Sequence, residues 1–142
     1  MNLRDRQQSE QWVINGLTWL RRPCVVLLEG DLGAGKTQFV NWFLQALGAP
    51  QVGASPTFAI HHSYATPSGV VDHLDLYRLQ DDSELESCGF WDLLAQPKAL
   101  LFVEWANRLP DDVWPKDWRR IRLVLLKQQG EGRQVSVEIR DP

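Results

Sequence analysis

The spacing of apolar residues changes along this chain, and the changes predict where strands and helices lie. Residues 25–28 form a short continuous apolar run and residues 99–103 form a second one, as expected of strands buried on both faces. From residue 39 to residue 47 the apolar positions instead recur every three or four residues, which predicts an amphipathic helix. Gly48 and Pro50 supply the end of that helix.

Two further segments have helical character. Apolar residues recur at helical spacing over residues 9–20, which predicts a helix that leads into the first strand. Ser83 and Glu86 form a capping-box pattern, so we expect another helix to begin there and to end before Pro97.

Extended segments joined by turns predict antiparallel hairpins. Residues 59–65 and 70–77 flank a Thr-Pro-Ser-Gly turn, which predicts a hairpin with a four-residue connection. Residues 121–126 and 134–139 flank a Gly-Glu-Gly segment and predict a second hairpin. Residues 108–120 are rich in Pro and Trp, which predicts an irregular connection.

A glycine-rich loop lies between the first apolar run and the helix that follows it. Residues 30–37, G-D-L-G-A-G-K-T, have the spacing of a P-loop, in which backbone N–H groups cradle the phosphates of a nucleotide. The glycines allow phosphate oxygens to approach the backbone, Lys36 offers a mobile positive charge, and Thr37 offers a hydroxyl to Mg²⁺. We therefore predict an α/β fold, a three-layer mixed sheet of the P-loop NTPase type with helices on both faces and antiparallel hairpins.

Length and composition limit the function further. The 142 residues predict a single domain over residues 1–142, and the net charge of -3 does not indicate a surface for direct nucleic-acid binding. No window approaches the roughly 18 apolar residues of a membrane span, so we expect no membrane association. Cys24 and Cys88 have no ligand spacing around them, so we expect reduced thiols in a cytoplasmic protein.

Two carboxylates lie at strand ends, where ligands bind in open α/β sheets. Glu104 directly follows the second apolar run, where a carboxylate has little structural use unless it meets a cation or a proton. Asp75 lies near the end of the strand over residues 70–77, although Asp72 is close to it and either could cap a turn. We predict that Glu104 and Asp75 take part in metal binding or in activating water.

A loop over residues 55–58, Ser-Pro-Thr-Phe, lies where P-loop proteins often carry a segment that senses the outermost phosphate. The hydroxyl of Thr57 could reach that phosphate or Mg²⁺, although such a segment is also typical of a simple turn. The three histidines, His61, His62 and His73, have no metal-binding spacing with the cysteines, so we expect ordinary surface or sheet positions for them.

These motifs in this order resemble the TsaE (YjeE) family, bacterial P-loop ATPases that assist threonylcarbamoyladenosine modification of tRNA. The resemblance runs from about residue 9 to the end of the chain. It is carried by the P-loop and by four later segments: Ser-Pro-Thr-Phe, Asp75-Leu76-Tyr77-Arg78-Leu79, Glu84-Leu85-Glu86 with Gly89, and Glu104-Trp105.

The resemblance implies a set of roles for individual residues. ATP would bind the loop formed by Gly30, Asp31, Leu32, Gly33, Ala34, Gly35, Lys36 and Thr37, next to Gln38, which replaces the family's second Thr. Thr37 and Glu104 would hold Mg²⁺ with Asp75 close by, and catalysis would depend on Glu104, Lys36 and Asp75. Thr57 would belong to a switch-like loop, Ser9 would lie near the base, and Trp105 and Arg78 would lie beside the site.

The resemblance also implies partners. The family protein has low ATPase activity alone and works with the TsaD and TsaB subunits, so tRNA would be met only through that complex. Trp114 or Trp118, if exposed on the 108–120 connection, would suit the centre of a partner interface.

Other functions fit the residues less well. A small P-loop kinase acting on a small molecule or nucleotide usually needs several arginines on a lid, but residues 83–118 contain only Arg108, besides Lys98 and Lys116. A GTPase would need an Asn-Lys-x-Asp segment, which the sequence lacks. An assembly factor that binds ATP without hydrolysing it would have no need of Glu104.

Overall fold

A mixed sheet forms the centre of the protein in a computed structural model, which describes residues 1–50, 60–130 and 132–142. Within those residues the strands are β1 (Asn2–Leu3), β2 (Cys24–Glu29), β3 (His61–Thr66), β4 (Gly69–Asp75), β5 (Leu100–Glu104), β6 (Arg119–Lys127) and β7 (Arg133–Arg140). The helices are α1 (Arg6–Gly16), α2 (Lys36–Ala46), α3 (Asp82–Ser87) and α4 (Phe90–Leu93), with 3₁₀ turns at Leu17–Trp19, Ala106–Arg108 and Asp111–Val113.

The strand order β1-β7-β6-β2-β5-β4-β3 brings four parallel strands together in the middle of the sheet. β2 pairs in parallel with β5 and β6, and β4 pairs in parallel with β5. β3 and β4 form one antiparallel hairpin and β6 and β7 form another, as predicted. The first hairpin has two connecting residues rather than four, because pairing continues to the Thr66 and Gly69 pair.

Alternate residues of each central strand face opposite layers of helix. Val26 and Leu28 of β2 belong to a core that includes residues of α1 and α2, such as Val13 and Phe43. Val25 and Leu27 belong to a second core that includes residues of α3 and α4. The predicted α/β fold with helices on both faces is therefore confirmed, since both faces of β2 and β5 are buried under apolar side chains.

The prediction of one helix beginning at Ser83 is wrong in two respects. The N-cap is Asp81, whose extended backbone lets its carboxylate accept hydrogen bonds from the backbone N–H groups of Ser83 and Glu84. The segment then divides into α3 and α4 because Gly89 adopts a left-handed conformation, with φ 76°, and interrupts the helical backbone.

Trp114 and Trp118 do not meet the condition, exposure on the 108–120 connection, under which either would suit a partner interface. Their side chains are 3% and 5% exposed and belong to the core under α3 and α4. Trp114 packs edge-on against Phe90 with ring centroids 5.8 Å apart. Two 3₁₀ turns fold the connection back onto the sheet, so its tryptophans fill the layer that the short helices leave incomplete.

Other expectations concern the solvent and membrane environment. Among the helices that the structure describes, none has the length and hydropathy needed to cross a lipid bilayer. Cys24 is buried in β2, and Cys88 is half-buried after α3.

Candidate functional site

The glycine loop joins the end of β2 to the start of α2 at the edge where the parallel strands end. Gly35 is the N-cap of α2 and has a left-handed backbone with φ 101°, which favours glycine. At Gly30, a Cβ would lie 2.6 Å from the backbone oxygen of Leu125 on β6, so the loop packs there against strand backbone. The first N–H groups of α2 have no acceptor within the helix, so the loop and the helix start fit an anion such as a phosphate.

Lys36 is buried at the start of α2. Its ammonium donates hydrogen bonds to the backbone oxygens of Gly30 and Asp31, the latter at 3.2 Å, and lies 3.9 Å from the centre of the Trp105 ring. Burial lowers the pKa of Lys36, and the carboxylates of Glu104, Asp75 and Asp31 oppose that shift. The charge is therefore held in place by loop oxygens and one aromatic face.

Glu104 ends β5 directly beside this loop. The parallel register pairs Glu104 with Leu28, near the end of β2, and the hydroxyl of Thr37 donates to both carboxylate oxygens, at 2.8 and 3.0 Å. The Glu104 residue is only 2% exposed. Two residues that the sequence assigned to one metal site are thus in contact.

His73 is a third member of this cluster and was given no role from the sequence. Its Nε2 lies 2.6 Å from Oε2 of Glu104, and both side chains are buried. The alternation along this strand puts His73 on the same face as Asp75, which is the one hint in the sequence, but it does not show which side chain His73 meets. Thr37 and His73 together hold the Glu104 carboxylate in one orientation.

Asp75 lies next to Glu104 across the sheet. The two are register partners in parallel strands, and Oδ1 of Asp75 accepts a hydrogen bond of 3.1 Å from the backbone N–H of Tyr77. Burial raises the pKa of the Asp75 carboxyl, the Tyr77 N–H opposes this, and the charge of Glu104 adds to it. Asp75 therefore brings a second carboxylate to this edge of the sheet, beside Glu104.

Trp105 turns the chain away from the sheet immediately after Glu104. Its backbone has φ 60°, a left-handed conformation that costs a non-glycine residue about 1–3 kcal/mol. The Trp105 ring packs on the Tyr77 ring, with centroids 4.9 Å apart. The Cζ atom of Arg108 lies 5.9 Å from the centroid of the Tyr77 ring. The strained turn is what places the indole under the ammonium of Lys36.

The remaining predicted residues are distributed around the loop. Leu32 is 72% exposed at the loop tip, and Ala34 is buried beneath it. Ser9 and Gln38 line a cavity of about 280 Å³ beside Gly35, although the Ser9 hydroxyl donates to the backbone oxygen of Asp5 at 3.0 Å. Gly33 and Asp31 belong to the loop itself, whereas Thr57 lies outside the described residues.

The donor set fits a magnesium ion better than a transition metal. Thr37, Glu104 and Asp75 offer oxygen atoms, and Mg²⁺ is usually held by one or two carboxylates together with water and substrate phosphates. Within residues 1–50, 60–130 and 132–142, no group of three or more His, Cys, Asp or Glu side chains could hold a metal ion by itself.

The fold is α/β, and residues 30–37 have the spacing of a P-loop. A family model described as "Threonylcarbamoyl adenosine biosynthesis protein TsaE" matches residues 3–135. The chain therefore belongs to the TsaE family, which confirms the resemblance found in the sequence.

Relatives and a solved structure agree with this assignment. The chain is 34% identical over 112 residues to the tRNA threonylcarbamoyladenosine biosynthesis protein TsaE of Bacillus subtilis, covering 79% of this chain and 67% of that protein. It is 36% identical over 110 residues to the protein of the same name from Synechocystis, covering 76% and 70%. The crystal structure of Bacillus subtilis YdiB has the same fold, with a TM-score of 0.64 at 24% identity over 96% of this chain and 82% of that one.

Proposed function

We propose that this chain binds and hydrolyses ATP as an accessory subunit in the threonylcarbamoyladenosine modification of tRNA, acting with the TsaD and TsaB subunits. The observation that carries the proposal is the hydrogen bond from the P-loop hydroxyl of Thr37 to Glu104. Membership of the TsaE family supports the pathway. The buried lysine and paired carboxylates support a reaction at phosphate rather than binding alone.

The loop would hold the phosphates of ATP through backbone N–H groups and Lys36. The N–H groups at the start of α2 face outward from the helix end, where its dipole favours negative charge. Lys36 would exchange its hydrogen bonds to the loop oxygens for bonds to the outer phosphates, and the Trp105 ring would keep the ammonium on that side of the loop.

Thr37, Glu104 and Asp75 would hold Mg²⁺. When bound, the ion would supply positive charge to phosphate oxygens that gain negative charge during the reaction. The Thr37 hydroxyl of α2 lies within 3.0 Å of the Glu104 carboxylate of β5, which supports the binding of one ion by both residues.

Glu104 would also orient the attacking water and accept its proton. A bond forms between the water oxygen and the γ-phosphorus, the bond from that phosphorus to the β–γ bridging oxygen breaks, and ADP leaves. His73 would hold the Glu104 carboxylate so that its other lone pairs face the water and the metal. The residues with these roles lie on β4, β5 and α2, which meet at the edge where the parallel strands end.

The test compares Glu104→Gln with the wild type in ATP turnover and in binding of Mg–ADP. Gln keeps the shape and an oxygen acceptor for Thr37 but loses the charge, so we expect turnover to fall at least about 100-fold with the chain still folded. Glu86→Gln, an exposed carboxylate on α3, is the matched control and should leave turnover unchanged.

The same assay with purified TsaD and TsaB tests the biological assignment. We expect the partners to raise wild-type turnover and to leave the Glu104→Gln variant inactive. Normal hydrolysis by the variant, with no effect of the partners, would contradict both the role of Glu104 and the assignment to the complex. ADP formed without free phosphate would instead indicate transfer to an acceptor, as in a kinase.

A further inference from the structure

Arg133, at the start of β7, lies against the P-loop from outside the predicted motif. A Cβ on Gly35 would lie 3.1 Å from Nε and 3.4 Å from Nη2 of Arg133, so the guanidinium covers the last glycine of the loop. Nη1 donates to the backbone oxygen of Gly132 at 2.8 Å. Among the described residues, no hydrogen-bond acceptor contacts Nε or Nη2, and both atoms lie against Gly35.

Two cavities flank the loop, and they indicate which end of the loop faces the outer phosphates of a nucleotide. One, of about 410 Å³, is lined by Lys36, Trp105 and Arg122. The other is the 280 Å³ cavity beside Gly35, which is also lined by Gln38 and Arg133. Because the P-loop lysine reaches the β- and γ-phosphates, the first cavity marks the outer-phosphate end, and the α-phosphate and nucleoside would leave the loop past Gly35.

The charge around the second cavity favours an anion. Arg6, Lys127 and Arg133 line it, and no carboxylate does among the residues that the structure describes. Trp42 also lines this cavity, and among the residues that the structure describes its buried indole Nε1 has no hydrogen-bond partner. Among the described lining residues, a phosphate next to Gly35 would therefore meet these donors and no carboxylate, while Nε of Arg6 is shared with Oε1 of Glu10 at 2.7 Å.

We propose that Arg133 binds the α-phosphate of the nucleotide through Nε and Nη2. This inference rests on the proposed binding of ATP and adds a residue from the last hairpin to the site. Arg133 is placed by its backbone pairing with Leu3 of β1 and Lys127 of β6, so the N-terminal and C-terminal strands together set the position of its guanidinium.

The experiment measures Kd for Mg–ADP by calorimetry on the full chain, with Arg133→Gln, Arg133→Lys and the control Arg140→Gln. Arg140 is exposed at the far end of the same strand. We expect Arg133→Gln to bind Mg–ADP at least about tenfold more weakly, because a charge-assisted hydrogen bond is lost, and Arg140→Gln to bind like the wild type.

A second readout separates contact from a structural effect. The two diastereomers of ADPαS differ only in which α-oxygen is replaced by sulfur, so their affinity ratio reports donors at that phosphate. We expect the ratio to change in both Arg133 variants, since Lys cannot reproduce the two-donor geometry, while the Tm of the ligand-free protein stays near that of the wild type.

The possible results separate the role of Arg133 from the proposed function. If the wild type binds Mg–ADP and the Arg133 variants match it in Kd and in the diastereomer ratio, the role of Arg133 is overturned and the proposed function stands. If the wild type binds no nucleotide, the proposed function fails first. If Arg133→Gln does not fold, the Arg133→Lys variant decides by the same two measurements.

Discussion

The carboxylate of Glu104 collects hydrogen bonds from two other elements. Burying an unpaired charge is costly, but Thr37 of α2 and His73 of β4 both lie within 3.0 Å of this carboxylate. The bonds therefore make a buried carboxylate tolerable and, at the same time, fix where its oxygen atoms point. A group that is held in this way needs little reorganisation when charge develops beside it.

Replacing His73 should lower turnover while leaving the phosphate loop intact. We expect His73→Leu to reduce ATP turnover about tenfold or more, because Glu104 loses the partner that orients it, with a change of less than about threefold in Kd for Mg–ADP. His73→Gln keeps a polar amide nitrogen near the same place and should restore part of the activity. The measurement is kcat with saturating Mg–ATP beside the Kd for Mg–ADP.

His61→Asn is the matched control for this experiment. His61 lies on β3 and its Nε2 is 2.7 Å from Oδ1 of the buried Asp72, so its replacement also removes a contact between a histidine and a carboxylate. We expect any change in this variant to affect Tm and not kcat. Equal losses of kcat in the His61 and His73 variants would show that the effect of His73 is a general loss of stability.

The sequence singled out the loop and Glu104 because each follows a continuous apolar run, and it left Asp75 ambiguous because Asp72 lies close to it. It gave no role to His73, since a histidine within an alternating strand looks the same whether it meets solvent or another side chain. Only the register that sets His73 opposite Phe102 brings its ring within reach of Glu104. That register depends on contacts distant in sequence.

At the scale of elements, the start of α3 depends on its N-cap residue, Asp81. Asp81 accepts hydrogen bonds from the N–H groups of Ser83 and Glu84, and Oε1 of Glu84 accepts from the N–H of Gln80 at 3.0 Å. This differs from a capping box in that Glu84 reaches the N–H of Gln80, one residue before the N-cap, and the cap lies two residues before the position that the sequence indicated. The hydroxyl of Ser83 donates to Asp81 and supports the cap.

Removing the cap should destabilise the protein measurably. We expect Asp81→Ala to lower Tm by roughly 2–6 °C, because two N–H groups at the start of α3 lose their acceptor. Ser83→Ala keeps its own N–H and should lower Tm by less. A larger loss in Ser83→Ala than in Asp81→Ala, measured by thermal unfolding, would favour the cap at Ser83 that the sequence suggested.

Boundaries were harder to predict than the elements themselves. The apolar runs identified β2 and β5, because burial on both faces leaves an uninterrupted pattern, and the helical spacing of apolar residues identified α2. The break at Gly89 and the burial of Trp114 and Trp118 could not be seen in that pattern, since a tryptophan serves a core and an interface equally well. Which one it serves depends on whether a helix already covers the sheet at that place.

At the scale of the whole molecule, the reactivity of one buried thiol measures how often the core opens around β2, the strand that leads to the loop. Cys24 begins β2 and is fully buried, and burial raises its pKa to about 12. The thiolate is the reactive form, so Cys24 can react with an alkylating reagent only when the core opens. Cys88, which is half-buried, provides an internal comparison in the same molecule.

Nucleotide binding should therefore slow the alkylation of Cys24. A ligand present at about 100 times its Kd stabilises the folded state by about 2.7 kcal/mol, so we expect Mg–ADP to slow labelling of Cys24 by iodoacetamide up to about 100-fold. Labelling of Cys88 should be faster and change less, because it needs no global opening. Peptide mass spectrometry measures both rates in one sample. If Cys24 reacts as fast as Cys88, or if Mg–ADP that demonstrably binds leaves its rate unchanged, β2 opens independently of the ligand site, and the loop and the core beneath it do not unfold as one unit.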